Sequence, residues 1–275
     1  MVSPTLSHIW IYPIKSLDPV ALDRVGITAA GSLQNDRRWA IVNAQGQWIN
    51  GKRDPRIHHL RAHFTLEAET IVAVTLHGPE HPPATFNMDR NMDGNQQEQG
   101  HNDRRELEKW LSHYFQEPVF LRENQDQGFP DDSKASGPTI VSEATLETVS
   151  QWFPGMTLAE TRLRFRANLE LSAVPPFWED QLFGIKGNDR PFSLGSVTFL
   201  GVNPCLRCVV PTRNPHSGAV SPQFVSHFIE QRRKHLPPWV EDPTHFENPY
   251  RLTVNTRIAE QSKGHCLSLG DPLRF

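Results

Sequence analysis

Cysteine is scarce: only Cys205, Cys208 and Cys266 occur among 275 residues. So few thiols, and an odd number of them, argue against a disulfide framework and set the expectation of a reducing, cytoplasmic compartment. Long apolar runs are missing as well, and none reaches the roughly 18 residues that a bilayer-spanning helix requires. Met1 to Leu17 lacks the basic start, apolar stretch and small-residue cleavage site of a secretory signal. Neither sign of charge is in large excess: the net charge is -3 and the isoelectric point about 6.5. That balance offers no broad cationic field to nucleic acid or anionic lipid, so no nucleic acid and no membrane partner is expected, and any anion site must be local. No Gly-x-Gly-x-x-Gly or Walker loop speaks for a nucleotide fold, and no Gly-x-Ser-x-Gly elbow for a serine hydrolase.

What is present is ordinary globular material, 37% hydrophobic and 21% charged, in a chain long enough for two domains. The 23 prolines and 17 glycines are spread along it, which favours many short elements joined by turns. Leu6 to Tyr12, Arg38 to Val42 and Ile71 to Leu76 read as strands, and Asn43-Ala44-Gln45-Gly46-Gln47 as a hairpin turn. Asn87 to Asn102 is polar and aperiodic, which predicts a mobile surface loop. A helix is expected from Asp103, with Leu107, Trp110, Leu111 and Tyr114 on one face. The polar stretch Gln125 to Lys134 marks the expected boundary between domains 1-125 and 126-275.

In the second half, Ser142 is expected to cap a short helix carrying Leu146, Val149 and Phe153. Strands are expected at Leu163 to Leu171, Ser196 to Leu200, Val209-Val210 and Tyr250 to Ile258. Ser221-Pro222 should start a helix with Phe224, Phe228 and Ile229 inward and Arg232, Arg233 and Lys234 at its C-terminal end. The fold class read from this pattern is mostly β with some helices, α+β.

The sharpest chemical signal is Pro204-Cys205-Leu206-Arg207-Cys208, two thiols three residues apart. Thiolates select soft or high-valent metals, and a fixed cation such as Arg207 favours the thiolate form. Two buried cysteines acting as small hydrophobes remain the alternative. No second close pair supplies zinc-finger spacing, and the apolar strand expected at Val209 does not suit a thioredoxin-type site. Lys15 and Ser16, presented after the strand-stopping Pro13, suit a phosphate, although Lys15 taken alone reads first as a solvated loop cation. Arg37 and Arg38 lie at the start of the strand expected at Arg38 to Val42. On the strand expected around Phe165, Arg164, Arg166 and Asn168 would share one face, suited to a planar anion or to cross-strand salt bridges.

Taken in order, Ile11 to Ser16, Asp36 to Trp39, Ser142-Glu143-Ala144, Arg164 to Asn168, Pro204 to Cys208 and Leu269 to Pro272 resemble the MOSC family. The resemblance covers nearly the whole chain and is nearest to the amidoxime-reducing components and bacterial reductases of N-hydroxylated bases. It implies an N-terminal β-barrel-like domain followed by a MOSC β-barrel domain, and a molybdenum cofactor, molybdopterin. It implies a metal held by two dithiolene sulfurs and one protein cysteine, Cys208 by motif, with Cys205 as the other candidate. Lys15, Ser16 and Arg37 match phosphate-holding positions, Arg166 and Asn168 match further cofactor contacts, and Ser136 and Arg207 complete the expected set. The implied activity is reduction of N-hydroxylated small molecules, with a cofactor carrier without turnover as the rival. No four-cysteine iron-sulfur module is present. A separate electron donor of ferredoxin, flavodoxin or flavin reductase type is therefore expected.

Overall fold

The computed structural model describes residues 3–88 and 94–275, without the side chains of 94–102. The protein is α+β with strand predominating. Its largest sheet has eight strands in the order Leu273–Arg274, Arg190–Leu194, Val197–Leu206, Arg251–Ile258, Ile140–Ser142, Leu169–Ser172, Thr5–Ile11 and Val20–Leu22. The first strand of the chain thus pairs antiparallel with Leu169–Ser172, far away in sequence. Smaller sheets join Trp39–Asn43 to Val119–Glu123, and Arg61–Glu67, Thr70–Gly78 and His81–Asn87 to one another. The expected hairpin at Asn43 is a tight turn with Gly46 at φ 73°, after which Trp48 bridges back to Val42.

Helix α1 runs over Gly94–Phe115 and so starts before Asp103. The stretch Asn87 to Asn102, expected as a loop, is therefore helical from Gly94; Asn87 ends a strand, and 89–93 lie outside the described residues. Tertiary packing is what fixes this helix: Leu107, Leu111 and Phe115 are buried, while its polar first half has little intrinsic amphipathicity. Helix α2, Glu143–Gln151, begins as expected at Ser142, whose Oγ accepts from the Thr145 amide at 3.1 Å.

Three expectations in the second half are corrected. Leu163 to Leu171 is not one strand: helix α3, Leu158–Phe165, occupies its start, Arg166 takes a left-handed φ of 52°, and the strand begins at Leu169. The cause is a cap overlooked upstream, in which Thr157 Oγ1 accepts from the Glu160 amide at 3.1 Å. Arg164 consequently leaves the face of Arg166 and Asn168; it is buried, bound to Glu160 and to the carbonyls of Pro211 and Arg213. Val209-Val210 is no strand either, because Pro211 cannot donate to a ladder and Val210–Thr212 forms a 3₁₀ turn. Helix α4, Phe224–Lys234, starts after Gln223 in the left-handed region, and Ser221 makes no capping bond. Phe224 and Phe228 point inward as expected, but Arg232 is buried and paired with Asp180.

Two apolar clusters hold the molecule together. One joins Ile9, Ile11 and Ile41 of the first half to Ile140, Leu169 and Phe199 of the second. The other packs Leu146, Phe165, Phe228 and Leu252. Each such fully buried side chain contributes about 1.5–3 kcal/mol.

Candidate functional site

Strand register gathers the site. Ile9 stands opposite Leu169, Leu169 beside Ile140, Ile140 opposite Val254, and Val254 opposite Pro204. Along that row the segments after Ile11, before Leu169, before Ile140 and after Pro204 all come together. A cleft of about 1090 Å³, counted out to its open mouth, lies among them. Lys15, Ser16, Arg37, Ser136, Arg166, Asn168, Cys205, Arg207 and Cys208 all line it, so every residue singled out from the sequence for this site shares one space.

The first half contributes the cations. Pro13 ends the first strand, and the chain turns so that Ser16 sits at φ 74°, with its Oγ 3.4 Å from the Gly51 amide that donates to it. Lys15 donates to the Phe129 carbonyl at 2.8 Å and pairs with Asp131 at 2.8 Å. Burial lowers the Lys15 pKa, and the Asp131 carboxylate opposes that shift. Asp131 is itself partly desolvated, yet Lys15, Arg37 and Lys52 hold its carboxyl below the usual carboxylate range. Gly128 makes this contact possible: at φ 64°, with a Cβ position 2.4 Å from the Asp36 carbonyl, it lets the loop close over Arg37.

Arg37 and Arg166 share one aromatic platform. Their guanidinium carbons lie 5.0 and 4.0 Å from the Tyr12 ring centroid, within cation–π range. Arg37 bonds Asp36 and also donates to Asn168 Oδ1 at 3.3 Å. Arg166 donates to the Leu17 carbonyl at 2.7 Å and, among the described residues, has no carboxylate partner. Burial lowers the Arg166 pKa; Tyr12 opposes this, and the neighbouring Arg37 charge adds to it. Burial likewise pushes the Tyr12 phenol up to about 12, against both arginines. Asn168 is a buried linchpin, donating to the Trp10 carbonyl at 3.0 Å and accepting from the Thr139 amide at 3.2 Å. Ser136 borders the cleft, and its carbonyl accepts from Ser32 Oγ at 3.3 Å.

The second half contributes sulfur. Arg207 Nη1 donates to Cys205 Sγ at 3.3 Å and Nη2 to the Phe165 carbonyl at 2.6 Å, while its buried Nε has no partner. Cys208 is a partly exposed free thiol with no hydrogen bond among the described residues. Sequence reasoning missed Tyr12 as the platform and Asp131 as the pairing anion. Pro130-Asp131-Asp132 lay in a stretch read only as polar linker, and nothing local tied it to Lys15. A separate donor cluster, His8, Glu143 and Glu170, lies outside the cleft. There Glu170 is already bound by Arg162 at 2.8 Å and by Trp10 at 2.8 Å, so it reads as an ion-pair network.

Fold and cleft together define an α+β protein with a cleft lined by several cations that also offers two thiols. Residues 3–118 match the family model of the MOSC N-terminal beta barrel domain. Across most of its length the chain is similar to mitochondrial amidoxime-reducing component 1 of Xenopus laevis, 26% identical over 251 residues, covering 78% of this chain and 67% of that protein. The same protein of Mus musculus is 24% identical with the same coverage. Molybdenum cofactor sulfurase of Caenorhabditis elegans is 25% identical over 84% of this chain, which spans only 32% of that longer protein. These similarities link the chain to molybdenum cofactor biochemistry. Among the described residues no helix is long and apolar enough to cross a membrane.

Proposed function

We propose that the chain is a molybdenum cofactor-dependent oxidoreductase that reduces N-hydroxylated small molecules with electrons from a separate protein. The observation that supports this most is that the cations of the first half, Lys15 and Arg37, share one cleft with Arg166 and the thiols of the second. The donor set suits a pterin phosphate and a thiolate-bound metal: Arg166 has no counter-ion among the described residues, Arg207 Nε is buried without a partner, and Cys208 is free. Lys15, Ser16 and Arg37 hold the phosphate through charge and hydrogen bonds, and Arg166 and Asn168 position the rest of the cofactor. Ser136 and Arg207 complete the lining. Cys208 gives its sulfur to the metal; Cys205, drawn to Arg207, is the second candidate. When bound, the molybdenum centre supplies the redox change, and the protein supplies placement and electrostatics. In this reading the functional division is 1-125 and 126-275, in a reducing compartment, with a donor of ferredoxin, flavodoxin or flavin reductase type.

The test has two stages. Protein made in a host that synthesises the cofactor is analysed for molybdenum, and its absence sinks the reading. Loaded protein is then assayed with an amidoxime under a reduced viologen. Molybdenum without turnover would mean a cofactor carrier instead.

A further inference from the structure

A smaller recess, about 350 Å³ when counted out into open solvent, adjoins the cleft and shares His58, Arg164, Arg166 and Val210 with it. It adds Arg61 and Arg213, so four guanidinium groups face it against a single carboxylate, Asp18. Three of the four are engaged. Arg61 pairs with Asp18 at 3.1 Å, Arg164 with Glu160 at 2.7 Å, and Arg166 donates to the Leu17 carbonyl at 2.7 Å. Arg213 differs. It is half-buried, its Nε is shielded from solvent without a partner, and no carboxylate pairs with its guanidinium among the described residues. A cation held among like charges and left unpaired is a cost that a bound anion would remove.

The pocket is built in advance. Asn214 Oδ1 accepts from the His216 and Ser217 amides at 2.9 and 3.0 Å, which fixes the loop behind Arg213. The Arg213 amide donates to the Val210 carbonyl at 3.0 Å, closing the turn that links Arg213 to Cys208. His58 lines the same pocket; burial lowers its pKa, the Gly51 carbonyl opposes this, and Arg213, Arg166 and Arg61 add to it.

We propose that this annex binds a second oxyanion, a phosphate or a carboxylate, carried by a molecule seated in the main cleft. Two sources share that chemistry: a further phosphate on an extended cofactor, or an acidic substituent on the substrate. Placing the anion on a cleft ligand rests on the function proposed above; the existence of the anion site does not.

Calorimetric titration with inorganic phosphate tests the site without molybdenum chemistry. In Lys15→Ala, where the main site is weakened, one phosphate site is expected to remain. Adding Arg213→Val should weaken it at least about tenfold by removing one charge-assisted contact, whereas Arg213→Lys should retain part of it. Unchanged melting in phosphate-free buffer shows that the fold is intact. No residual site in Lys15→Ala, or one indifferent to Arg213→Val, overturns the proposal. Mass analysis of the extracted cofactor and steady-state kinetics then separate the sources. A nucleotide-bearing pterin lost preferentially from Arg213→Val assigns the annex to the cofactor. A plain monophosphate pterin, with KM raised for a carboxylated amidoxime but not for its neutral parent, assigns it to substrate. A monophosphate pterin with neither KM changed overturns the link to a cleft ligand. Phosphate binding in protein that takes up no molybdenum would sink only the proposed function.

Discussion

Lys15 Nζ lies 2.8 Å from Asp131 Oδ1, so the cleft's ammonium group is already matched by a carboxylate of its own chain. Any phosphate that reaches Lys15 must compete with Asp131. The Asp131 side chain is 63% exposed, which places the pair among those worth only about 0.2–1 kcal/mol. Asp131→Asn should therefore tighten inorganic phosphate binding about two- to fivefold, read by calorimetry at neutral pH. Acidification to the normal carboxylate range should not reproduce the effect, because Lys15, Arg37 and Lys52 keep Asp131 ionised there against its partial desolvation. Unchanged or weaker binding in Asp131→Asn would show that Asp131 does not occlude the site.

Much of the site could be read from the sequence because its signals are local. Pro13 stops a strand, Cys205 and Cys208 flank Arg207, and Ser142 caps a helix; each feature needs only its neighbours. The errors share the opposite cause. Arg164 to Asn168 alternates like a strand, but the helix that claims Arg164 is set by Thr157, outside that window, and the left-handed Arg166 breaks the alternation. Arg166 and Asn168 still reach the cleft, by a route different from the one expected. Asp131 meets Lys15, and Tyr12 lies beneath Arg166, only through long-range pairing such as Ile9 with Leu169. No periodicity encodes such a contact.

The Thr157 cap carries its own prediction. Its Oγ1 accepts from the Glu160 amide, and the helix it starts delivers Phe165 and Arg166 to the cleft. Thr157→Ala should cost about 1 kcal/mol of stability. For a chain of this size that is a drop of about 2–4 °C in Tm. Thr157→Ser should restore it, and a full-strength Thr157→Ala protein would show that α3 does not depend on its cap.

Stability should also fall with rising pH because of Glu179. This side chain is 1% exposed, accepts from Thr145 Oγ1 at 2.9 Å, and has its pKa pushed up to about 8 by burial and then by the adjacent Asp180 charge. Between the ordinary glutamate value and about 8 the folded state keeps a proton that the unfolded state releases, so stability declines as pH rises through that window. Glu179→Gln keeps an acceptor for Thr145 and removes the titration. Its Tm should decline less than that of the parent between about pH 5 and pH 8. Parallel curves for the two proteins would refute the assignment.

The two thiols are predicted to be unequal. Cys205 is held by Arg207, which anchors at the same time to the Phe165 carbonyl at 2.6 Å, whereas Cys208 has no hydrogen-bond partner among the described residues. Arg207 favours the thiolate form of Cys205 but occupies its lone pairs and orients it, whereas the Cys208 sulfur keeps its lone pairs free for a metal. Cys208→Ala should reduce turnover of an amidoxime to background. Cys205→Ala should retain molybdenum and lose about 10- to 100-fold in rate, as removal of a group that only orients a ligand does. Metal analysis beside the viologen assay separates the cases: if Cys205→Ala strips activity and Cys208→Ala spares it, the metal belongs to Cys205, and Arg207 then contacts the ligand sulfur directly.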